Sequence, residues 1–257
     1  MNINYFKVFS TQKRGNISDE YEDAYAHCLT NEHTVVAVSD GATEASFSKQ
    51  WAKILVRRFV DSPTMVIDSD WLLDAYKEFY ASIDIDSLPW HAQNKVLEQG
   101  SFATLLGLEI DFEQKSFFAV AVGDSCLFWF DDDSGFHSFP QRSADEFDST
   151  PYLIATFKHK NEHLSETDKQ HLRPLTLSQG KTTFYLMTDA IAHWFMNKCA
   201  KGAPPHDTLL ALTEENFEIF ISELREKQEI KNDDVTIVIM EVINDDGVDK
   251  NGLPINE

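Results

Sequence analysis

The chain has 257 residues, 42% of them apolar, with 19 Phe and 5 Trp, which is ample for a large folded core and excludes a globally disordered polypeptide. Lys and Arg number 22 against 43 Asp and Glu, and the formal charge of −21 repels both nucleic-acid phosphates and anionic lipid. A chain this acidic can still hold an anionic substrate where bound cations reverse the local field.

The cysteines Cys28, Cys126 and Cys199 lie far apart, without a CxxC pair. That fits a reduced compartment, argues against structural zinc and leaves all three as packing residues. The first ten residues, MNINYFKVFS, lack the basic start and apolar core of a signal peptide. No apolar run approaches the roughly 18 residues of a membrane span. A soluble cytoplasmic protein is expected, with no membrane or nucleic-acid partner.

Along the chain, TVVAVSDGAT (34–43) opens as a buried strand and ends on Asp40-Gly41. From Glu44 the pattern turns helical, with Phe47, Trp51, Ile54, Leu55 and Phe59 on one face. Ser69 or Asp70 is expected to cap a second helix that presents Trp71, Leu72, Ala75, Phe79 and Ile83. A third helical stretch, 91–99, leads into a run of strands: SFATLLGLEI, SFFAVAVGD (116–124) and SCLFWFDDD (125–133). Residues 137–181 are polar and are expected to form a variable flap or insert. TTFYLMTD (182–189) reads as a strand and IAHWFMNKCA (191–200) as a helix. A long helix follows from about Thr213 to Glu229, and NDDVTIVIMEV (232–242) is the last strand. The expected organisation is one α+β domain over 1–243, followed by a polar tail over 244–257.

Three of these strands run into a carboxylate: Asp40, Asp124 and Asp189. The last is preceded by Asp233-Asp234, and Glu22-Asp23 adds a further pair near the start. Each has an ordinary explanation when taken alone. Asp-Gly is a common turn, Asp124 suits a meander turn and Asp189 suits a helix cap. In an antiparallel arrangement, however, strand ends and strand starts share an edge, so these acids can gather there. Gathered carboxylates repel and need neutralising, and an all-oxygen donor set suits Mg²⁺ or Mn²⁺ rather than zinc. Gly41 can turn its carbonyl toward such an ion. Two ions can bridge and activate a water.

The order Glu22-Asp23, Asp40-Gly41, GSFATLL, Gly123-Asp124-Ser125, Thr188-Asp189 and Asp233-Asp234-Val235-Thr236 resembles the PP2C-type, metal-dependent protein phosphatases, most nearly the compact bacterial ones. The resemblance spans roughly 5–242. It implies a β-sandwich of two antiparallel sheets flanked by helix pairs, in four layers. It assigns Asp40 as the aspartate bridging two metals, Gly41 as a carbonyl ligand, and Asp189 and Asp233 as further ligands. Asp124 corresponds to the aspartate of a third, weaker site. Glu22 and Asp23 correspond to acids that hold metal-bound waters. The implied reaction is one-step hydrolysis of phosphoserine or phosphothreonine esters, without a phosphoenzyme. The implied partner is a phosphoprotein made by an opposing serine/threonine kinase, and a monomer is expected.

The sequence departs from the family at four places. Ala190 stands for the usual glycine, Asp234 for the usual asparagine and Cys126 where arginine is common. Because of the doubled aspartate, either Asp233 or Asp234 can be the ligand. The position of the phosphate-gripping arginine holds Ser18, and Arg14 is the nearest candidate for that work. Two other readings stay open: a non-catalytic phosphoprotein-binding or scaffold module, and a phosphatase of small phosphorylated molecules.

Overall fold

The computed structural model describes residues 1–43, 45–147, 151–165 and 171–245. In chain order the first strands are β1 (Asn2–Thr11), β2 (Ala24–Leu29) and β3 (His33–Ser39). The helices α1 (Ser48–Asp61), α2 (Leu73–Ala81) and α3 (Trp90–Asn94) come next. A run of strands follows: β4 (Phe102–Ala103), β5 (Leu105–Asp111), β6 (Ser116–Val122), β7 (Cys126–Asp131), β8 (Gly135–Phe139), β9 (Ile154–Ala155), β10 (His171–Thr176) and β11 (Gly180–Met187). The chain ends with α4 (Asp189–Ala200), α5 (His206–Leu210), α6 (Glu214–Glu226) and β12 (Val235–Asn244).

Two five-stranded antiparallel sheets form, in the orders β1-β12-β11-β7-β8 and β10-β6-β5-β3-β2. Strand alternation sends successive residues to opposite faces and so builds three apolar layers from one set of strands. Val36, Val38, Leu106, Leu108, Phe184, Leu186, Val238 and Met240 fill the space between the sheets. Val35 and Ala37 point the other way, into a layer with Trp51, Leu55 and Phe59 of α1 and Phe79 of α2. Tyr185, Met187, Ile237 and Ile239 do the same on the far sheet, against Trp194 and Phe195 of α4 and Phe217 and Ile221 of α6. The result is the expected four-layer arrangement of helices, sheet, sheet and helices. Gly107 sets one of the spacings: a Cβ there would lie 2.3 Å from the Phe59 ring, so the glycine lets α1 close onto β5.

Several local expectations need correction. Phe47 does not belong to the apolar face of α1; it precedes the helix with φ 62° and is 37% exposed. The turn ahead of α2 is held by Asp68, whose Oδ1 accepts the N–H groups of Asp70 and Trp71 at 3.0 and 2.8 Å, and not by Ser69 or Asp70. The stretch 91–99 divides into α3 and a π turn that stops at Gly100. SFATLLGLEI breaks at Thr104 into β4 and β5. Much of 137–181 is built into the sheets: β8 and β10 are edge strands and β9 pairs with β4. The segment around β9 is also tied to the helical layer, because Trp51 Nε1 donates to the Ile154 carbonyl at 2.8 Å. Residues 148–150 and 166–170 of that stretch lie outside the described residues. β12 runs on through Asn244, which is buried opposite Gly180 and is not the start of a tail; residues 246–257 lie outside the described residues. No described helix is long and apolar enough to cross a membrane.

Candidate active site

Four carboxylates line one open cavity of about 250 Å³, whose walls include Asp40, Gly41, Asp124, Asp189, Asp233 and Lys231. The topology explains the meeting. β3 and β6 both flank β5, so their C-terminal ends, carrying Asp40 and Asp124, fall at the same edge. β11 and β12 pair antiparallel in the other sheet, with Met187 opposite Ile237. Asp189, just after β11, therefore stands beside Asp233, just before β12.

Thr104, in the break between β4 and β5, fixes the first corner. The Asp40 N–H donates to its Oγ1 and its N–H returns to the Asp40 carbonyl, both at 2.8 Å. Ser39 Oγ donates to the Thr104 carbonyl at 2.5 Å, and Ser125 Oγ lies 3.0 Å from Thr104 Oγ1. Gly41 is required here by crowding: a Cβ would come within 2.8 Å of the Glu22 carbonyl oxygen and 2.9 Å of the Ser48 carbonyl carbon. Ala190 is accommodated because it lies within the first turn of α4 and carries no positive φ.

Glu22 and Asp23 stand behind this wall. Ser48 Oγ donates to Glu22 Oε1 at 2.5 Å, and Lys13 Nζ lies 3.7 Å from Glu22 Oε2. Asp23 is buried. Its Oδ2 accepts from Thr236 Oγ1 at 2.7 Å and Thr188 Oγ1 at 3.0 Å, while its buried Oδ1 has no hydrogen-bond partner among the described residues. Asp234 is a tie between loops: its two oxygens accept the backbone N–H groups of Lys13 at 2.8 Å and Glu22 at 2.6 Å. Asp233 is the member of the pair that lines the cavity.

Arg14 has a different place from the one expected. Its guanidinium bonds Ser222 Oγ at 3.0 Å and Glu226 Oε1 at 2.9 Å on the outside of α6, and it is not among the cavity-lining residues. Two lysines lie near the acids: Lys231, 3.9 Å from Asp189 Oδ2, and Lys13, which donates to Thr43 Oγ1 at 3.2 Å. Sequence reading gave no reason to single out either, because a lysine in a polar loop carries no pattern.

The site is electrostatically unsettled. Burial, then the charges of Asp23, Asp189, Asp233 and Asp124, push the Asp40 carboxyl well above its ordinary range. Burial and then Asp189 raise Asp124 to about 7. Burial raises Asp23 to about 8, against the Thr236 hydrogen bond and with the further push of Asp234. Asp189 is raised by burial and by Asp233, with Lys231 opposing. Among the described residues no three acidic, histidine or cysteine side chains close around a single point; the carboxylates instead share the lining of one cavity. The donor chemistry fits a hard divalent cation. The donors are all oxygen, they repel one another, and a buried carboxylate oxygen of Asp23 is still unpartnered.

A sequence model of the protein phosphatase 2C family matches residues 16–227. The chain belongs to that family. Its enzyme class is serine/threonine protein phosphatase, and phosphoproteins are the substrates the family implies. No curated protein sequence matches the chain. Among solved structures it is similar to the serine/threonine phosphatase Stp1 from Staphylococcus aureus, 13% identical, with a TM-score of 0.55 over 94% of this chain and 97% of that one. A bacterial serine phosphatase is 12% identical, with a TM-score of 0.55 over 93% and 98% of the two chains. A structure described under the bacterial stressosome, a modular system adapted to control secondary messenger signalling, is 17% identical, with a TM-score of 0.53 over 91% and 97%. At these identities the likeness speaks to the fold.

Proposed function

We propose that this phosphatase hydrolyses phosphoserine and phosphothreonine esters in one step at the acid-lined cavity, with Mg²⁺ or Mn²⁺ held by Asp40, the Gly41 carbonyl, Asp189 and Asp233. The observation that carries this reading is the convergence of four strand-end carboxylates on one cavity in a chain of this family. The ions would supply an activated water and neutralise charge on the transferring phosphoryl group.

The chain's own residues have separable tasks. Thr104 holds Asp40 in place through its hydroxyl and backbone. Asp124, at the same sheet edge as Asp40, is assigned to a third and weaker ion. Glu22 and Asp23 are assigned to ordering water behind the cavity. Their existing hydrogen bonds leave Asp23 Oδ1 free for that purpose. Asp233 is preferred to Asp234 as the ligand because it lines the cavity, while a backbone N–H group bonds each oxygen of Asp234. The enzyme is read as a cytoplasmic monomer that reverses the work of a serine/threonine kinase.

The test is hydrolysis of a phosphothreonine peptide in EDTA, Mg²⁺ and Mn²⁺, beside the Asp189→Asn variant and a small sugar phosphate. Metal-dependent turnover of the peptide that falls by about 10³-fold in the variant is expected. Preference for the sugar phosphate would redirect the reading to a small-molecule phosphatase. No turnover of several peptides with either ion would make the chain a phosphoprotein-binding module.

A further inference from the structure

A phosphate monoester brings two negative charges into a cavity walled by Asp40, Asp124, Asp189 and Asp233. Arginine suits such a group because it offers two parallel donors. The arginine nearest in sequence is engaged elsewhere: Arg14 points to Ser222 and Glu226 on the outer face of α6. What Arg14 gives the site is backbone. Its N–H donates to Asn232 Oδ1 at 2.8 Å and its carbonyl accepts from Asn232 Nδ2 at 3.1 Å.

That pairing pins the residue next to Lys231. Arg225 pins the loop again by donating to the Asp233 carbonyl at 2.6 Å. Lys231 itself is the one cation among the described residues that line the cavity. Its backbone neighbours are fixed while its side chain is 63% exposed, with Nζ 3.9 Å from Asp189 Oδ2. So loose and exposed a pair contributes little, and the ammonium can leave Asp189 for another anion at small cost. Lys13 is a poorer choice. Its side chain is only 17% exposed, its charge faces Glu22, and its hydrogen bond goes to Thr43.

We infer that Lys231 is the residue that holds the substrate phosphate, taking over work for which no arginine lines the cavity among the described residues. This rests on the phosphatase reading above. A lysine holds phosphate as a movable point charge and not as a rigid fork. Its grip therefore depends on charge and is weakened by salt, while substitution by arginine preserves it.

The experiment compares wild type with Lys231→Ala, Lys231→Arg and Arg14→Ala in Mg²⁺. One readout is KM and kcat on a phosphothreonine peptide, and the other is calorimetric binding of inorganic phosphate. The expected result for Lys231→Ala is a loss of about tenfold in phosphate affinity and a matching rise in KM. Lys231→Arg should stay within about threefold of wild type and Arg14→Ala within about twofold, since neither removes a charge from the cavity. Thermal melts should coincide, because both side chains are exposed. If wild type turns over and Lys231→Ala keeps its KM and phosphate affinity, this inference is overturned while the phosphatase reading stands. If wild type binds phosphate through Lys231 and does not turn over, the inference holds and catalysis is what fails. If wild type does neither, both are overturned.

Discussion

Asp23 and Asp234 lie behind the cavity and have protein partners, whereas Asp40, Asp124, Asp189 and Asp233 stand along its walls. The partnered acids do structural work. Asp234 joins the segment after β1 to the start of β12 by accepting two backbone N–H groups, and Asp23 joins Thr188 to Thr236 across the ends of β11 and β12. Among the wall acids, Asp40, Asp124 and Asp189 are raised by burial and then by neighbouring carboxylates, including others that line the same cavity. Proteins seldom retain such repulsion without a use for it, and perturbed acids that share a cleft mark functional sites. Two aspartates adjacent in sequence, Asp233 and Asp234, thus fall on opposite sides of the division.

The sharpest way to break this comparison is at Asp40. Asp40→Asn removes one carboxylate from the mutually repelling set and keeps its size. Activity should fall by about 10³-fold or more. The melting temperature in EDTA should hold or rise, because a source of repulsion has gone. Near-normal turnover in this variant would remove Asp40 from the site.

The second test separates the neighbours. Asp234→Ala strands two N–H groups that its carboxylate now accepts, and should cost about 2–4 kcal/mol of stability. Asp233→Ala should abolish activity yet change stability by less than about 1 kcal/mol. Urea unfolding in EDTA reads both. Equal losses of stability at the two positions would erase the distinction between tie and wall.

The acids of the wall are legible in the sequence because each follows or precedes a strand whose apolar pattern is strong. β3, β6, β11 and β12 are buried on both faces, so their ends are sharply marked. β1 is not legible in the same way. Five of its ten residues are half-buried and three are exposed, and its pairing with β12 supplies the order that its own pattern lacks. β2 is an edge strand with alternate exposure and fails to stand out for the same reason. The choice between Asp233 and Asp234 depends on N–H groups more than 200 residues away in the chain, at Lys13 and Glu22. No local pattern carries that information. Arg14 shows the converse: nearness along the chain suggested reach, but its partners are set by where α6 packs.

The smallest effect expected is on pH dependence, and it bears on one acid from each side of the comparison, Asp124 of the wall and Asp23 behind it. Burial holds Asp23 protonated up to about 8 and Asp124 up to about 7, against an ordinary value of 3.8 for each. The folded chain therefore keeps protons that the unfolded chain releases. Stability from these groups is complete below about pH 4 and is lost as pH rises through the folded values, by at most about 1.4 kcal/mol per pH unit and group. In EDTA the melting temperature should fall steadily from pH 5 to pH 8. Millimolar Mn²⁺ should flatten that slope, because an ion that binds only the folded chain favours the ionised acids. A melting temperature that stays level or rises with pH in EDTA would mean that the acids are not held protonated.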